Sequence, residues 1–260
     1  MSTSFWLDRD ASRPEPDPLD GDTTADVAIV GGGIAGIACA QALVRDGASV
    51  VLLERRQLAS GASGRNAGFV LGGVADSYAA AAKRYGPERA LRIFGVTFTA
   101  RALVRSAIRE AAIACDDRWE GSDQLAGDAA EWDELTASAA QLSAHGVAVT
   151  LDPVDRRATF PNDGCLDPVR FVRGLAMALA ARGARIHTRT TVTAVAPDLV
   201  QTDRGRVVAG SVVLCTGGYT APLAAARIRP VRGQMLATAP LSVGRYPRPT
   251  YGHRGYRYWR

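Results

Sequence analysis

Residues 25–54, ADVAIVGGGIAGIACAQALVRDGASVVLLE, decide how this chain is read. Asp26 to Val30 is a short apolar run rich in β-branched residues, which predicts a strand. Gly31, Gly33 and Gly36 follow at once in the spacing G-x-G-x-x-G. Ile34 to Arg45 carries Ile37, Ala40, Leu43 and Val44 at helical spacing, and Gly47 stands where a helix commonly ends. Ser49 to Leu53 predicts a second buried strand, with Glu54 at its end.

Each part of this unit has a physical job. Gly31 permits a tight turn out of the strand. Gly33 lets a phosphate approach the backbone, and Gly36 lets the helix lie close to the sheet. The helix start offers N–H groups and its positive dipole end. A carboxylate at Glu54 is placed to accept ribose hydroxyls, each charge-assisted bond being worth about 1.5–3 kcal/mol. A lone G-x-G-x-x-G would be weak. Here strand, turn, helix, strand and acid all occur at the required spacing, and the unit predicts a dinucleotide site. FAD and NAD(P) both remain open at this point.

The next stretch, ERRQLASGASGRNAGFV at 54–70, separates them. A simple NAD domain would lead promptly into another helix. Here a Gly/Ser-rich loop follows. Small residues at Ala62, Ser63, Gly64, Ala67 and Gly68 let backbone approach a flat ligand, and Ser63, Arg65 and Asn66 are candidate donors to it. An ordinary surface loop would not need the apolar tail GFVLGG.

This loop resembles that of FAD-dependent oxidoreductases of the D-amino-acid oxidase and glycine oxidase group. It is most similar to the gamma-glutamylputrescine oxidase-like branch, which also starts with an arm like SFWL and PLDGD. The resemblance implies FAD as cofactor and a Rossmann-like FAD-binding domain with a parallel sheet. It also implies an interleaved, incomplete α+β substrate domain with an antiparallel sheet. By motif, Ile34 and Ala35 would meet the pyrophosphate, and Glu54 and Arg55 the adenosine. Ala62, Ser63, Ala67, Gly68 and Phe69 would line the path to the flavin ring. For Arg55 and Arg56 a solvated surface is an equally good reading.

The remaining chain is read against this start. The N-terminal MSTSFWLDRDASRPEPDPLDGD lacks a basic region followed by an apolar core, so it predicts an extended Pro-rich arm and a cytoplasmic protein. Apolar residues make up 47% of 260, a globular composition. No apolar run reaches the roughly 18 residues of a membrane span. The four cysteines form no C-x-x-C pair and predict packed thiols, and three scattered histidines predict no metal site. The net charge of +5 invites a nucleic-acid partner. However, eight arginines and no acid lie in 227–260, against 23 basic and 26 acidic residues elsewhere, so nucleic-acid binding is not expected.

Ser77 to Cys115 and Asp128 to Ala144 read as helices of a substrate-side domain, and CDDRWEGSDQLAG resembles a short strand of the family's antiparallel sheet. Asp167 and Pro168 predict a helix start, with Val169, Val172, Leu175, Met177 and Leu179 on its apolar face. Ala184 to His187 predicts a parallel strand. In the family, the residue matching Val192 touches adenine through its backbone. Val212 to Cys215 predicts a late strand whose Thr216-Gly217-Gly218 end resembles the family's second cofactor approach. RIRPVRGQMLAT, with Arg232-Gly233-Gln234, resembles a strand crossing to the substrate domain. The expected division is an arm at 1–24, a cofactor domain at 25–75 and 165–226, and a substrate domain at 76–164 and 227–260.

The closing GYRYWR reads as half a strand that begins at Gly255. Family members continue further, with a second Gly-rich turn near a C-terminal helix, so the resemblance implies truncation. The leading expectation is FAD-dependent oxidation of a C–N bond in an amine or amino acid, with oxygen or another acceptor and no assignable catalytic residue. The alternative is a non-catalytic flavin-binding fragment or subunit completed by a partner chain. An NAD(P)-dependent dehydrogenase is disfavoured by the loop and by the late Thr-Gly-Gly.

Overall fold

The computed structural model describes residues 4–221, 223–225, 227–231, 233–239 and 247–260. In chain order the elements are α1 (Phe5–Arg9), β1 (Thr23–Val30), α2 (Ile34–Arg45), β2 (Val50–Leu53), β3 (Phe69–Val70), α3 (Tyr78–Tyr85) and α4 (Pro87–Glu110). Next come β4 (Ser122–Leu125), α5 (Ala129–Ala144), β5 (Thr150–Asp152), β6 (Arg157–Phe160), β7 (Gly164–Cys165) and α6 (Pro168–Ala180). The chain closes with β8 (Arg185–His187), β9 (Val192–Val195), β10 (Leu199–Thr202), β11 (Arg206–Leu214), β12 (Thr250–Gly252) and β13 (Arg257–Trp259). No helix among the described residues is long and apolar enough to cross a membrane.

Two compact units share the chain. The first takes residues 1–66, 111–115 and 168–237, and the second takes 67–110, 116–167 and 238–260.

The first unit holds a six-stranded sheet in the order β8-β2-β1-β11-β10-β9. The first four strands are mutually parallel; β10 pairs antiparallel with β11, and β9 pairs antiparallel with β10. β2 reads VVLL and is buried throughout, as a strand covered on both faces must be. β1 is longer than its apolar run because Thr23, Thr24 and Ala25 pair with Val207, Val208 and Ala209. β11 likewise starts at Arg206, well before the apolar Val212. Leu19, Ala28, Val30, Val51, Leu53, Val200, Val207 and Ala209 form one core cluster here. On α6 the buried stripe is Val169, Val172, Leu175, Ala176 and Leu179, whereas Met177 is 53% exposed. Met177 lies five residues past Val172, outside the i, i+3, i+4 face.

The second unit holds a five-stranded sheet, β13-β12-β4-β6-β5, in which β4 and β12 run parallel and the other pairs antiparallel. The helical stretch after Ser77 divides at Gly86, whose φ of +84° ends α3, and Pro87 starts α4. Ser77 and Asp128 cap α3 and α5 by accepting from Ala80 N and Glu131 N. Tyr78, Ala81, Ala90, Phe94 and Leu142 form this unit's helical core, with Tyr78 edge-on to Phe94.

Three expectations are corrected. The arm is not wholly extended: α1 forms behind a Ser4 cap, and Trp6 and Leu19 are buried. The tail is not one strand from Gly255. His253, Arg254 and Gly255 all have positive φ and turn a hairpin, so β13 starts at Arg257 and pairs with the preceding β12. The described residues of 227–238 contain no strand; Pro230 has no N–H for a ladder, and Arg232 lies outside the described residues.

Candidate functional site

In the first unit β1 and β11 end side by side, with Cys215 N donating to Val30 O at 2.8 Å. The chain then leaves β1 through three glycines. Gly31 has φ +114°, and a Cβ there would stand 2.6 Å from the Cys215 carbonyl oxygen. A Cβ on Gly36 would stand 1.9 Å from the Gly31 carbonyl oxygen, so α2 can start this close only with glycine. A Cβ on Gly33 would stand 2.9 Å from Ser63 Oγ. Gly32, which the motif alone passes over, is as tight: its Cβ would meet Leu58 at 2.7 Å and Glu54 at 2.9 Å.

Gly33 precedes α2 and has no side chain to cap it. The cap comes from the loop, where Ser63 Oγ accepts from Ile34 N at 3.0 Å. The amides of Ala35 and Gly36, in the first turn, have no intrahelical acceptor. No acidic residue stands in that turn to compete for an anion. The dipole end and these amides therefore offer a site for a phosphate.

Glu54 closes the other side of the turn. Its Oε2 accepts from Gly32 N at 2.8 Å and its Oε1 from Arg56 N at 2.9 Å. The carboxylate thus first holds the glycine turn, and each oxygen keeps a second lone pair. The Arg55 guanidinium lies over the Tyr219 ring at 4.4 Å. Thr190 N donates to Glu54 O at 3.0 Å, which brings the chain past Glu54 two residues before Val192, the first residue of β9. Thr216 and Gly217 follow β11, with Gly217 at φ +54° opening a short 3-10 turn.

The loop after Glu54 is ordered by its own bonds. Leu58 and Ala59 are buried, and Ala59 N donates to Gly32 O at 3.0 Å. Ala62–Gly64 form a 3-10 turn. Asn66 Nδ2 donates to Ala62 O and Ser63 O, and Arg65 Nε donates to Ser60 O. The side chains expected to face a ligand thus also knit the loop, and Ser63 caps the helix.

Ala67, Gly68 and Phe69 belong to the second unit. Gly68 O accepts from Leu166 N, and Phe69 pairs with Cys165. The Phe69 ring stands edge-on to Tyr251 and Tyr258. Burial, then Tyr258 and Asp163, push the Tyr251 hydroxyl above its ordinary pKa. Asp163 accepts from Arg101, from Ser122 Oγ at 2.7 Å and from Gly72 N at 3.0 Å. Its carboxyl is raised by burial in spite of these three donors.

Residues 26–260 match the family described as FAD dependent oxidoreductase (DAO). The chain belongs to this family. Its cofactor is FAD, and its fold is the parallel cofactor sheet plus antiparallel sheet seen here. The chain is 28% identical over 260 residues to gamma-glutamylputrescine oxidoreductase of Escherichia coli K12, covering 92% of this chain and 61% of that protein. It is 24% identical to the probable oxidoreductase OrdL of Haemophilus influenzae, again covering 61% of the relative. Among solved structures, glycine oxidase from Geobacillus kaustophilus superposes with a TM-score of 0.61 at 25% identity, over 78% of this chain and 58% of that one. L-amino acid deaminase from Proteus vulgaris gives a TM-score of 0.65 at 18% identity, over 80% and 50%, a likeness of fold. The chain therefore spans about three fifths of the length of the curated relatives it matches.

Proposed function

We propose that this chain binds FAD in its first unit and serves the oxidation of a C–N bond in an amine or amino acid. The observation that carries the reading is the start of α2: a glycine turn with no room for a side chain, first-turn amides open to an anion, and no acid beside them. The residues present fit a pyrophosphate. The open amides of Ala35 and Gly36 would receive it, with Ile34, whose own amide is held by Ser63, beside them and Gly31 and Gly33 providing the approach. Glu54 would accept ribose hydroxyls on its remaining lone pairs, and Arg55 would flank the adenosine. Val192 would meet adenine through its backbone. Ala62, Ser63, Arg65, Asn66, Ala67, Gly68 and Phe69 would border the path to the ring, with Thr216 and Gly217 at the second approach.

When bound, FAD supplies the hydride-accepting chemistry of amine oxidation. The protein's part is to hold and orient. The open α2 amides would stabilise phosphate charge by hydrogen bonding and by the helix dipole. Ser63 takes up the Ile34 amide, so that first-turn donor is satisfied by the protein itself. Relatives named gamma-glutamylputrescine oxidoreductase and glycine oxidase support an amine or amino-acid substrate, with oxygen or another acceptor taking the electrons.

A second reading is favoured by one observation, the 61% coverage of the relatives. There the chain holds flavin but turns over only with a partner chain. The test is the visible spectrum of the 260-residue chain after gel filtration with FAD, followed by an amine and amino-acid oxidation assay. One flavin per chain with turnover supports the first reading, and flavin without turnover supports the second. A colourless chain defeats both.

A further inference from the structure

The loop that caps α2 is itself held from outside. Three points along its backbone are gripped by the N-terminal arm. Near its start, Leu58 N donates to Glu15 Oε2 at 3.0 Å. In its middle, Gly64 O accepts from Ser4 Oγ. At its end, Asn66 O accepts from Trp6 Nε1 at 2.8 Å. All three contacts are to main-chain groups, so they fix where the loop runs whatever its side chains do.

The arm is anchored in turn. Arg173 on α6 is 3% exposed, which is rare for an arginine unless it is paired. It meets Asp10 Oδ2 at 3.0 Å and Glu15 Oε1 at 2.5 Å, and it also donates to Asp10 O at 2.7 Å. Further on, Leu19 N donates to Thr190 Oγ1, and Pro16 O accepts from Thr188 Oγ1. The arm therefore bridges α6, the segment after β8 and the loop. Glu15 serves two of these roles, with one oxygen toward Arg173 and the other on the Leu58 amide. Burial raises its pKa, and the Leu58 amide and Arg173 oppose that rise.

We propose that residues 4–19 are a positioning element of the cofactor site, holding the 57–66 loop where Ser63 can cap α2. The link runs Arg173, Glu15 and Trp6, loop backbone, Ser63, Ile34 amide. The arm contacts α6, residues 188–190 and the loop backbone. Its effect on the proposed ligand comes from ordering the loop beforehand, which removes that cost from the binding step. The effect on FAD rests on the reading given under Proposed function; the effect on the helix cap does not.

The experiment measures amide exchange in the cofactor-free 260-residue chain and, separately, the FAD dissociation constant. Trp6→Phe keeps an aromatic ring but deletes the donor to Asn66 O. Ser4→Ala deletes the donor to Gly64 O, and Ser4→Thr restores it. Arg206→Ala, which breaks an exposed pair with Asp22 away from the loop, is the control. Trp6→Phe and Ser4→Ala should each speed exchange at Ile34 and Leu58 about fivefold, the factor carried by one net hydrogen bond. They should weaken FAD by a similar factor and leave exchange in β1 and β2 unchanged. Ser4→Thr should restore both values.

Unchanged exchange at Ile34 overturns the proposal. So does a uniform rise across β1 and β2, which would mark the arm as general packing. Faster exchange with unaltered FAD affinity overturns the link to the cofactor. A wild-type chain that binds no FAD defeats the functional reading alone, because exchange at Ile34 still decides the arm.

Discussion

Glu54 and Asp163 each hold one unit together, by different means. Glu54 accepts from two main-chain amides, one of them 22 residues back along the same strand-turn-helix unit. Asp163 accepts from an arginine, a serine and one amide that lie 41 to 91 residues away. The first arrangement is set by glycines and backbone, so it survives wherever the motif survives. The second exists only once Gly72 after β3, Ser122 of β4 and Arg101 of α4 have assembled around Asp163. The glycine turn of the first unit is local and tied through main chain, whereas the Asp163 tie of the second unit is long-range and made mostly of side chains.

The harshest way to break this comparison is Asp163→Ala. It removes the carboxylate partner of Arg101 and the acceptor for Ser122 and Gly72. Losing one partner of a buried pair costs about 3–5 kcal/mol, and the loss should appear in urea unfolding as an early transition of the second unit. A loss under about 1 kcal/mol would mean that Asp163 is not the tie.

Next comes a matched pair of glycines in two helices. Gly36→Ala puts a Cβ 1.9 Å from the Gly31 carbonyl oxygen and should cost about 1–3 kcal/mol and lower FAD affinity. Gly95→Ala in α4 meets nothing within 4 Å and should stabilise by about 0.5–1 kcal/mol. Thermal melts of both variants give the sign directly, and equal effects would show that the α2 turn is not tight.

The smallest effect is in acid. Ser77 and then Arg254 hold Glu134 below the ordinary carboxylate range. Its stabilising contribution is therefore present above the ordinary glutamate pKa and is lost as pH falls through the lowered one. Asp163 runs the other way: its carboxyl is raised, so its ionisation costs stability as pH climbs through that raised value. Glu134→Gln should flatten the acid limb of a stability-pH curve, while Asp163→Asn should flatten the limb just above it.

These contrasts explain what the sequence could tell. The run from Gly31 to Glu54 was legible because backbone sterics at each glycine are local, and α2 spans Ile34–Arg45 as its periodicity predicts. Gly32 was not read, since its need for glycine comes from Leu58 and Glu54. Ser63 was read as a donor to ligand. Its bond to Ile34 N spans 29 residues and has no sequence signature. Asp10, Glu15 and Arg173 look like solvated charges in the sequence, and only the fold brings them together. In the tail, Gly255 is a turn signal, and β12 before it supplies the partner of β13.

The order of strands in the first sheet has a consequence during synthesis. β1 is central, yet its neighbour on one side is β11, built from residues 206–214. At about 5–20 residues per second, a ribosome needs roughly 10 to 40 s between the two strands. Throughout that interval one edge of β1 shows unpaired amides and carbonyls, the template on which nascent chains aggregate. Shielding of this edge until residues 206–214 emerge is therefore a requirement that the strand order places on synthesis of the chain.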